Sequence, residues 1–407
     1  MTVIEISRRK DVERLRRIAL ASQGLLQKQA FGRGRKAALK AIQHLGYVQI
    51  DTISVVERAH HHVFQSRVPG FDPAWTNRML RERDIFEYWT HAAAFIPIED
   101  FRFSLPYKQA LKSGQIHWYR TRDKKLMGEL LRRIKTDGPL RSRDLENNTG
   151  KKRAGWWDWK PAKRALEQLY MEGELMVSDR EGFQKTYDLA ERVLPSHIDS
   201  TMPSMDEFAA HLLEQQLRCH GAVSLKGLTY LRRNNELRAA VKNLLNEGVS
   251  DKKLEMVKLD NGDLFYLEAG SLEQKLPRTS SRVRILSPFD NSLIQRERLQ
   301  AIFDFDYQLE CYLPEKKRKY GYFSLPILFR DSFVGRMDCK AHRQSRLLEI
   351  KSLHLQGDSL DDGVLIDSLV EALEDFASFQ NCDSVKIGRV SPKNLASPLR
   401  ARIKQLC

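Results

Sequence analysis

The chain has 407 residues, 42% of them hydrophobic and 30% charged. That is too long for one core of ordinary size, so two to four domains are expected. Eighteen Phe, 12 Tyr and 6 Trp are too many for a disordered polar chain. No run approaches the roughly 18 uncharged apolar residues of a membrane span. The opening MTVIEISRRK lacks the apolar run of a secretory signal, so an intracellular, cytoplasmic protein is expected. The net charge is +15 and the pI near 9.5, which favours a polyanionic partner. The excess is uneven. Residues 101–164 hold 18 basic and 6 acidic side chains, as a phosphate-facing surface would, although a solubilising face has the same composition.

In chain order, RRKDVERLRRIALASQGLL (8–26) reads as a basic amphipathic helix, and RKAALKAIQHLG (35–46) as a second that stops at Gly46. YVQIDTISV (47–55) has period two and β-branched residues, which predicts a strand. A winged-helix-like unit is expected to begin here. His60, His61 and His62 follow; consecutive positions diverge, so the expectation is a solvated tract rather than a metal site.

Two segments then repeat one plan. LMGELLRRIKTDG (126–138), a short helix LRSRDLE, KPAKRALEQLYMEGEL (160–175) and two strand-like runs about the turn 180–182 make three helices and a β-hairpin. FAAHLLEQQLRCHG (208–221), SLKGLTYLRR, NNELRAAVKNLLNEG (234–248) and strands about Asp260-Asn261-Gly262-Asp263 repeat it some 80 residues later. Three helices with a hairpin form a winged helix. Past LPRTSSR (276–282), strands predominate, with one helix from Gly363. The fold class expected is α+β: tandem winged-helix domains followed by a β-rich C-terminal domain. The domains read as 1–122, 123–196, 206–275 and 283–407.

Five dispersed cysteines, with no CxxC, fit reduced thiols and support neither a zinc site nor a disulfide framework. The run most suggestive of chemistry is YVQIDTI. On a strand, Gln49 and Asp51 would share a face. An amide and a carboxylate so held can position one water, which suits a reaction whose transition state is cationic at carbon. An exposed strand face with two polar residues also fits that spacing.

LGYVQIDTISVVERAHHHVFQSRV (45–68), EYWTHAAAFIP (87–97), GWWDWKP (155–161), LSPFD (286–290) and VGRMDCKAHRQ (334–344) together resemble the YcaQ branch of the winged-helix DNA glycosylases, relatives of the AlkZ crosslink-repair enzymes. The resemblance implies a monofunctional DNA glycosylase in DNA repair, without cofactor or metal. It would hydrolyse the N-glycosidic bond of alkylated, N7-linked purines and unhook interstrand crosslinks. That family carries Gln–apolar–Gln in one branch and Gln–apolar–Asp in the other. Gln49-Ile50-Asp51 matches the second, so the resemblance assigns catalysis to Gln49 and Asp51. An N7-alkylated purine is already a cationic leaving group. The carboxylate then stabilises an oxocarbenium-like sugar, which water attacks, and no amine nucleophile for lyase chemistry is present in the motif. A crosslinked base cannot swing out freely, so an open groove is expected in place of a flipping pocket.

Tyr88 and His91 are candidates either to border the lesion or to pack behind the QID strand, with Trp89 read as core. For phosphate contacts the candidates are Arg35 and Lys36 ahead of the second helix, and Lys160, Lys163 and Arg164 opening a recognition helix. Arg336, Lys340 and His342 should form a basic strip opposite Met337 and Cys339, read as a DNA clamp, although a solvated edge has the same pattern. Trp156, Trp157 and Trp159 read as core and cap, and Lys316–Lys319 as a solvated charge run. The partner expected is duplex DNA bearing alkylated or crosslinked purines, bound by a monomer and with no membrane association. The rival reading is a non-catalytic winged-helix transcriptional regulator; a third is a scaffold that recognises damage without breaking a bond.

Overall fold

A computed structural model describes residues 3–145, 159–357 and 363–404. GWWDWKP lies mostly outside them: nothing is described of Trp156 or Trp157, nor of the side chains of Trp159 and Lys160. The chain divides into two compact units, residues 1–71 with 212–407, and residues 72–211. Among the described residues, no helix is long and apolar enough to cross a membrane.

The larger unit opens with a short strand, Val3–Ile6, that the sequence reading passes over. It lies parallel to Leu254–Leu259, which pairs antiparallel with Leu264–Glu268. That hairpin is the wing of the later repeat. Its turn holds Gly262 at φ 86°, a conformation that costs glycine little. The repeat's helices are Met205–His220, Leu225–Leu228 and Asn235–Ser250. The last two begin with side-chain caps, Ser224 accepting from the Gly227 amide and Asn234 from that of Leu237. A bridge between Val223 and Tyr266 supplies the small strand of a winged helix. Leu15, Ile18, Val257, Leu267, Leu299 and Phe305 belong to its core.

The C-terminal region is a five-stranded sheet, ordered Val283–Ile285, Ser324–Phe329, Ser332–His342, Leu347–Leu355, Ser384–Ser391. All neighbours are antiparallel except the last pair. A parallel pair needs a long crossover, and the helix Gly363–Phe379 occupies that connection. Its buried face (Leu365, Leu369, Leu373, Phe376) packs on Leu325, Met337, Ile350 and Leu353.

In the smaller unit, the helix Lys124–Asp137, the short strand Leu140–Arg141, the 3-10 turn Ser142–Leu145, the helix Trp159–Met171 and strands Leu175–Glu181 and Gln184–Leu189 follow the winged-helix order. The hairpin turns at Gly182-Phe183, which shares Gly182 with the expected 180–182 and ends one residue later, with Gly182 at φ 61°. Glu87 is fully buried and paired with Arg180 at 2.6 Å and Lys185 at 2.7 Å. This fastens the wing to the hairpin formed by Ile85–Trp89 and Ala93–Pro97. Earlier in the chain come the helix Arg35–Leu45, the strand Val48–Gln49 and the helix Ala59–Gln65 of the larger unit, then the helix Ala74–Arg81 and that hairpin of the smaller. The architecture is thus tandem winged helices followed by a β-rich C-terminal sheet.

Candidate active site

The helix Arg35–Leu45 ends at Gly46, whose φ of 80° reverses the chain into the motif. The strand expected over 47–55 is far shorter and covers only Val48–Gln49. Asp51 ends it. Its Oδ1 accepts the amide of Ile53 at 2.7 Å, and such a local side-chain-to-backbone bond competes with the sheet ladder. Gln49 and Ile50 are both 8% exposed, whereas Asp51 is half-buried. Burial raises the Asp51 pKa above its ordinary value, against the opposing pull of the Ile53 and Thr52 amides.

Both flanks of the motif are anchored within the larger unit. Downstream, Val55 O accepts from the Ala341 amide at 2.8 Å. The Arg343 guanidinium donates to Ser54 O and Val56 O at 3.0 and 3.1 Å. Ile53, Val55 and Val56 join the core of the C-terminal sheet. Upstream, Asn291 Nδ2 donates to Tyr47 O at 3.0 Å.

Asn291 is set by the residue before it. Asp290 accepts two hydrogen bonds from Arg67, at 2.6 and 2.9 Å, and the side chains of both are wholly buried. Burial works to raise the Asp290 pKa, but the Arg67 charge and the Ser292 donors hold it below the usual range. Arg67 also donates to Gln23 O and Oε1, and Gln23 Nε2 donates to Cys219 O at 2.8 Å. One buried network therefore ties the LSPFD segment to the N-terminal helix and the later winged helix. The role of Asp290 and Arg67 as framework is not evident from spacing, since they are 223 positions apart.

The segment 310–321 flanks the motif. Leu309 and Tyr322, at its stems, pack on the same core as Ile53 and Val55. Asp51 acts electrostatically on Cys311 and Tyr312; burial raises both their pKa values and the carboxylate adds to the rise. The sequence reading singled out neither residue.

Several expectations need correction. Tyr88 does not border a surface: it is 1% exposed and its hydroxyl donates to Met171 O at 2.6 Å. Its ring meets Tyr107 and Tyr170 edge-on. Arg336 is likewise not part of an exposed strip. It does alternate with Met337 and Cys339, but the stretch after Phe303 covers that face. The guanidinium lies over Phe305 and Tyr320, at 4.5 and 4.1 Å from the ring centres, and donates to Asp306 O at 2.6 Å. Of the three, Lys340 is exposed, and half-buried His342 pairs with Glu349 at 2.9 Å. Nor is the histidine tract solvated, because it forms a packed helix. His60 and His62 are buried, His62 against Phe376 at 5.0 Å and Ile285 O at 2.9 Å, while His61 meets Glu57. Burial pushes the His62 pKa down to about 4.

The other candidates lie at surfaces. His91, half-buried, sits in the turn between Ile85–Trp89 and Ala93–Pro97. Half-buried Trp89 meets Trp118 edge-on at 4.7 Å. Arg35 is half-buried and Lys36 exposed at the start of their helix; Lys163 and Arg164 are exposed in the first turns of theirs.

Comparison with known proteins bears on this arrangement. The family model of DNA glycosylase AlkZ-like proteins matches residues 42–379. Among solved structures, the Streptomyces sahachiroi DNA glycosylase AlkZ superposes with a TM-score of 0.59 at 16% identity, over 92% of this chain and 98% of that one. At that identity the likeness speaks for the fold. The family match spans most of the chain, from within the helix before Gln49 to the end of the helix Gly363–Phe379, and on that ground the protein belongs to the AlkZ-like family and is a DNA glycosylase.

Proposed function

We propose that the protein hydrolyses the N-glycosidic bond of N7-alkylated purines in duplex DNA, that it unhooks interstrand crosslinks by the same reaction, and that Gln49 and Asp51 carry the chemistry. The observation that carries this reading is the half-buried Asp51 carboxylate, oriented by the Ile53 amide, with a buried glutamine, Gln49, two residues earlier in the chain. As the bond to the cationic base lengthens, positive charge develops on the sugar. A carboxylate in a partly desolvated place stabilises that charge more strongly than one in open water. Gln49 and Asp51 hold the attacking water, and Asp51 receives its proton. The purine leaves as a neutral base. With no amine involved, the product is an abasic site and the strand is not cut, which makes the enzyme monofunctional.

DNA is held by phosphate contacts from Lys36, Lys163 and Arg164, all on the first turns of helices. Lys340 contributes from the C-terminal sheet. The enzyme acts as a monomer.

The test uses two duplexes, one with a single N7-methylguanine and one with an N7–N7 crosslink, each incubated with the purified protein. Free base is expected from the first and, from the second, loss of the slow-migrating crosslinked species with release of a faster-migrating single strand, with no strand scission from either until alkali is added. Binding to both duplexes without release from either would favour the regulator reading.

A further inference from the structure

Residues 310–321 form a closed loop beside the candidate active site. Glu310 is 6% exposed, and its carboxylate accepts the backbone amides of Lys319, Tyr320 and Gly321 at 3.1, 2.8 and 3.1 Å. One side chain thus pins the far end of the loop to its beginning. Gly321 backs onto Asp338, whose Oδ1 accepts the Phe323 amide at 3.1 Å.

What this fixed loop displays is unusual for a surface. Tyr312 is 79% exposed, more than any other exposed large hydrophobic residue described. An aromatic ring left in water forgoes the burial that would stabilise it. After it come Lys316 and Lys317, both exposed, with Lys319 exposed beyond them. Arg318 is turned back over Tyr322, 5.0 Å from the ring centre. An aromatic face amid exposed lysines is the composition of a nucleic-acid stacking surface. The loop's stems, Leu309 and Tyr322, pack against the same sheet core as Ile53 and Val55, and the Asp51 carboxylate acts electrostatically on Tyr312.

We infer that Tyr312 is the residue against which the departing purine stacks: its ring receives the face of the cationic N7-alkylated base while Asp51 faces the sugar. This deepens the proposed function and rests on it. A positively charged purine is drawn to the electron-rich face of a phenol more strongly than a neutral one. Selectivity for charged lesions would then reside in a loop the catalytic motif does not contain.

The experiment measures single-turnover release of N7-methylguanine from a duplex by the unaltered protein and by Tyr312→Ala, Tyr312→Leu and Tyr312→Phe, with thermal melting of each. Exposure of the side chain predicts unchanged melting. Stacking on an aromatic residue corresponds to about 5- to 150-fold, so Ala and Leu should slow release by that range, and Phe should stay within about threefold of the parent. Equal release by all four proteins would overturn the assignment of Tyr312 alone. A Phe variant as slow as Ala would also overturn it, showing that the hydroxyl acts and not the ring. No release by the unaltered protein would overturn the proposed function, and this inference with it.

Discussion

The Asp51 carboxylate folds back to accept the amide of Ile53 at 2.7 Å, two residues past the end of the strand that carries Gln49. The acid is therefore held by its own backbone. Its environment sets the pH at which it is charged.

Because burial raises the Asp51 pKa above 3.8, the carboxyl takes up its proton at a higher pH than an ordinary aspartate. Base release should fall as the pH is lowered, along a limb whose midpoint lies above that value. Single-turnover rates across the acid range check this, and Asp51→Asn should remove the limb. A midpoint at or below the ordinary value would mean that the ionisation of Asp51 does not set the rate.

The Arg67–Asp290 pair should be costly to break singly. Removing one partner of a wholly buried ion pair typically costs about 3–5 kcal/mol. Asp290→Ala is thus expected to lower the urea midpoint strongly, and through Asn291 and Tyr47 to loosen the start of the motif. Replacing both partners by apolar residues, as in Arg67→Met with Asp290→Leu, should recover part of that loss.

For the recognition helix the outcome is electrostatic. Lys163→Gln and Arg164→Gln should each weaken binding to all sequences alike and lower the salt slope by about 1. Titration of a labelled duplex at several salt concentrations measures both. Base release with protein in excess should change little.

Much of the fold was legible in the sequence because its signals are local. The Gly138, Gly173 and Gly262 stops and the helical spacing of Leu166, Leu169 and Tyr170 appear in the structure. What escaped depends on partners distant in the chain. Val3–Ile6 is a strand only because Leu254–Leu259 lies beside it. Arg336 looks like a surface cation until Phe305, Tyr307 and Tyr320 close over it. The histidine tract reads as polar until Phe376 and Ile285 meet His62. At the candidate site, Gln49 and Asp51 stand out as a motif. Their expected strand failed at Asp51 because a carboxylate can serve its own backbone, an alternative that period-two patterning does not register. Tyr312 carried no periodic signal at all.

The central claim is that Asp51 takes part in breaking the bond. Its most direct test compares the unaltered protein with Asp51→Asn on a duplex carrying N7-methylguanine, following free base by chromatography and binding by titration. The account predicts base release by the parent, a fall of at least about 100-fold in the variant, in the range expected for loss of an acid–base group, and nearly equal affinity for the duplex. Release by Asp51→Asn at the parent's rate would contradict it.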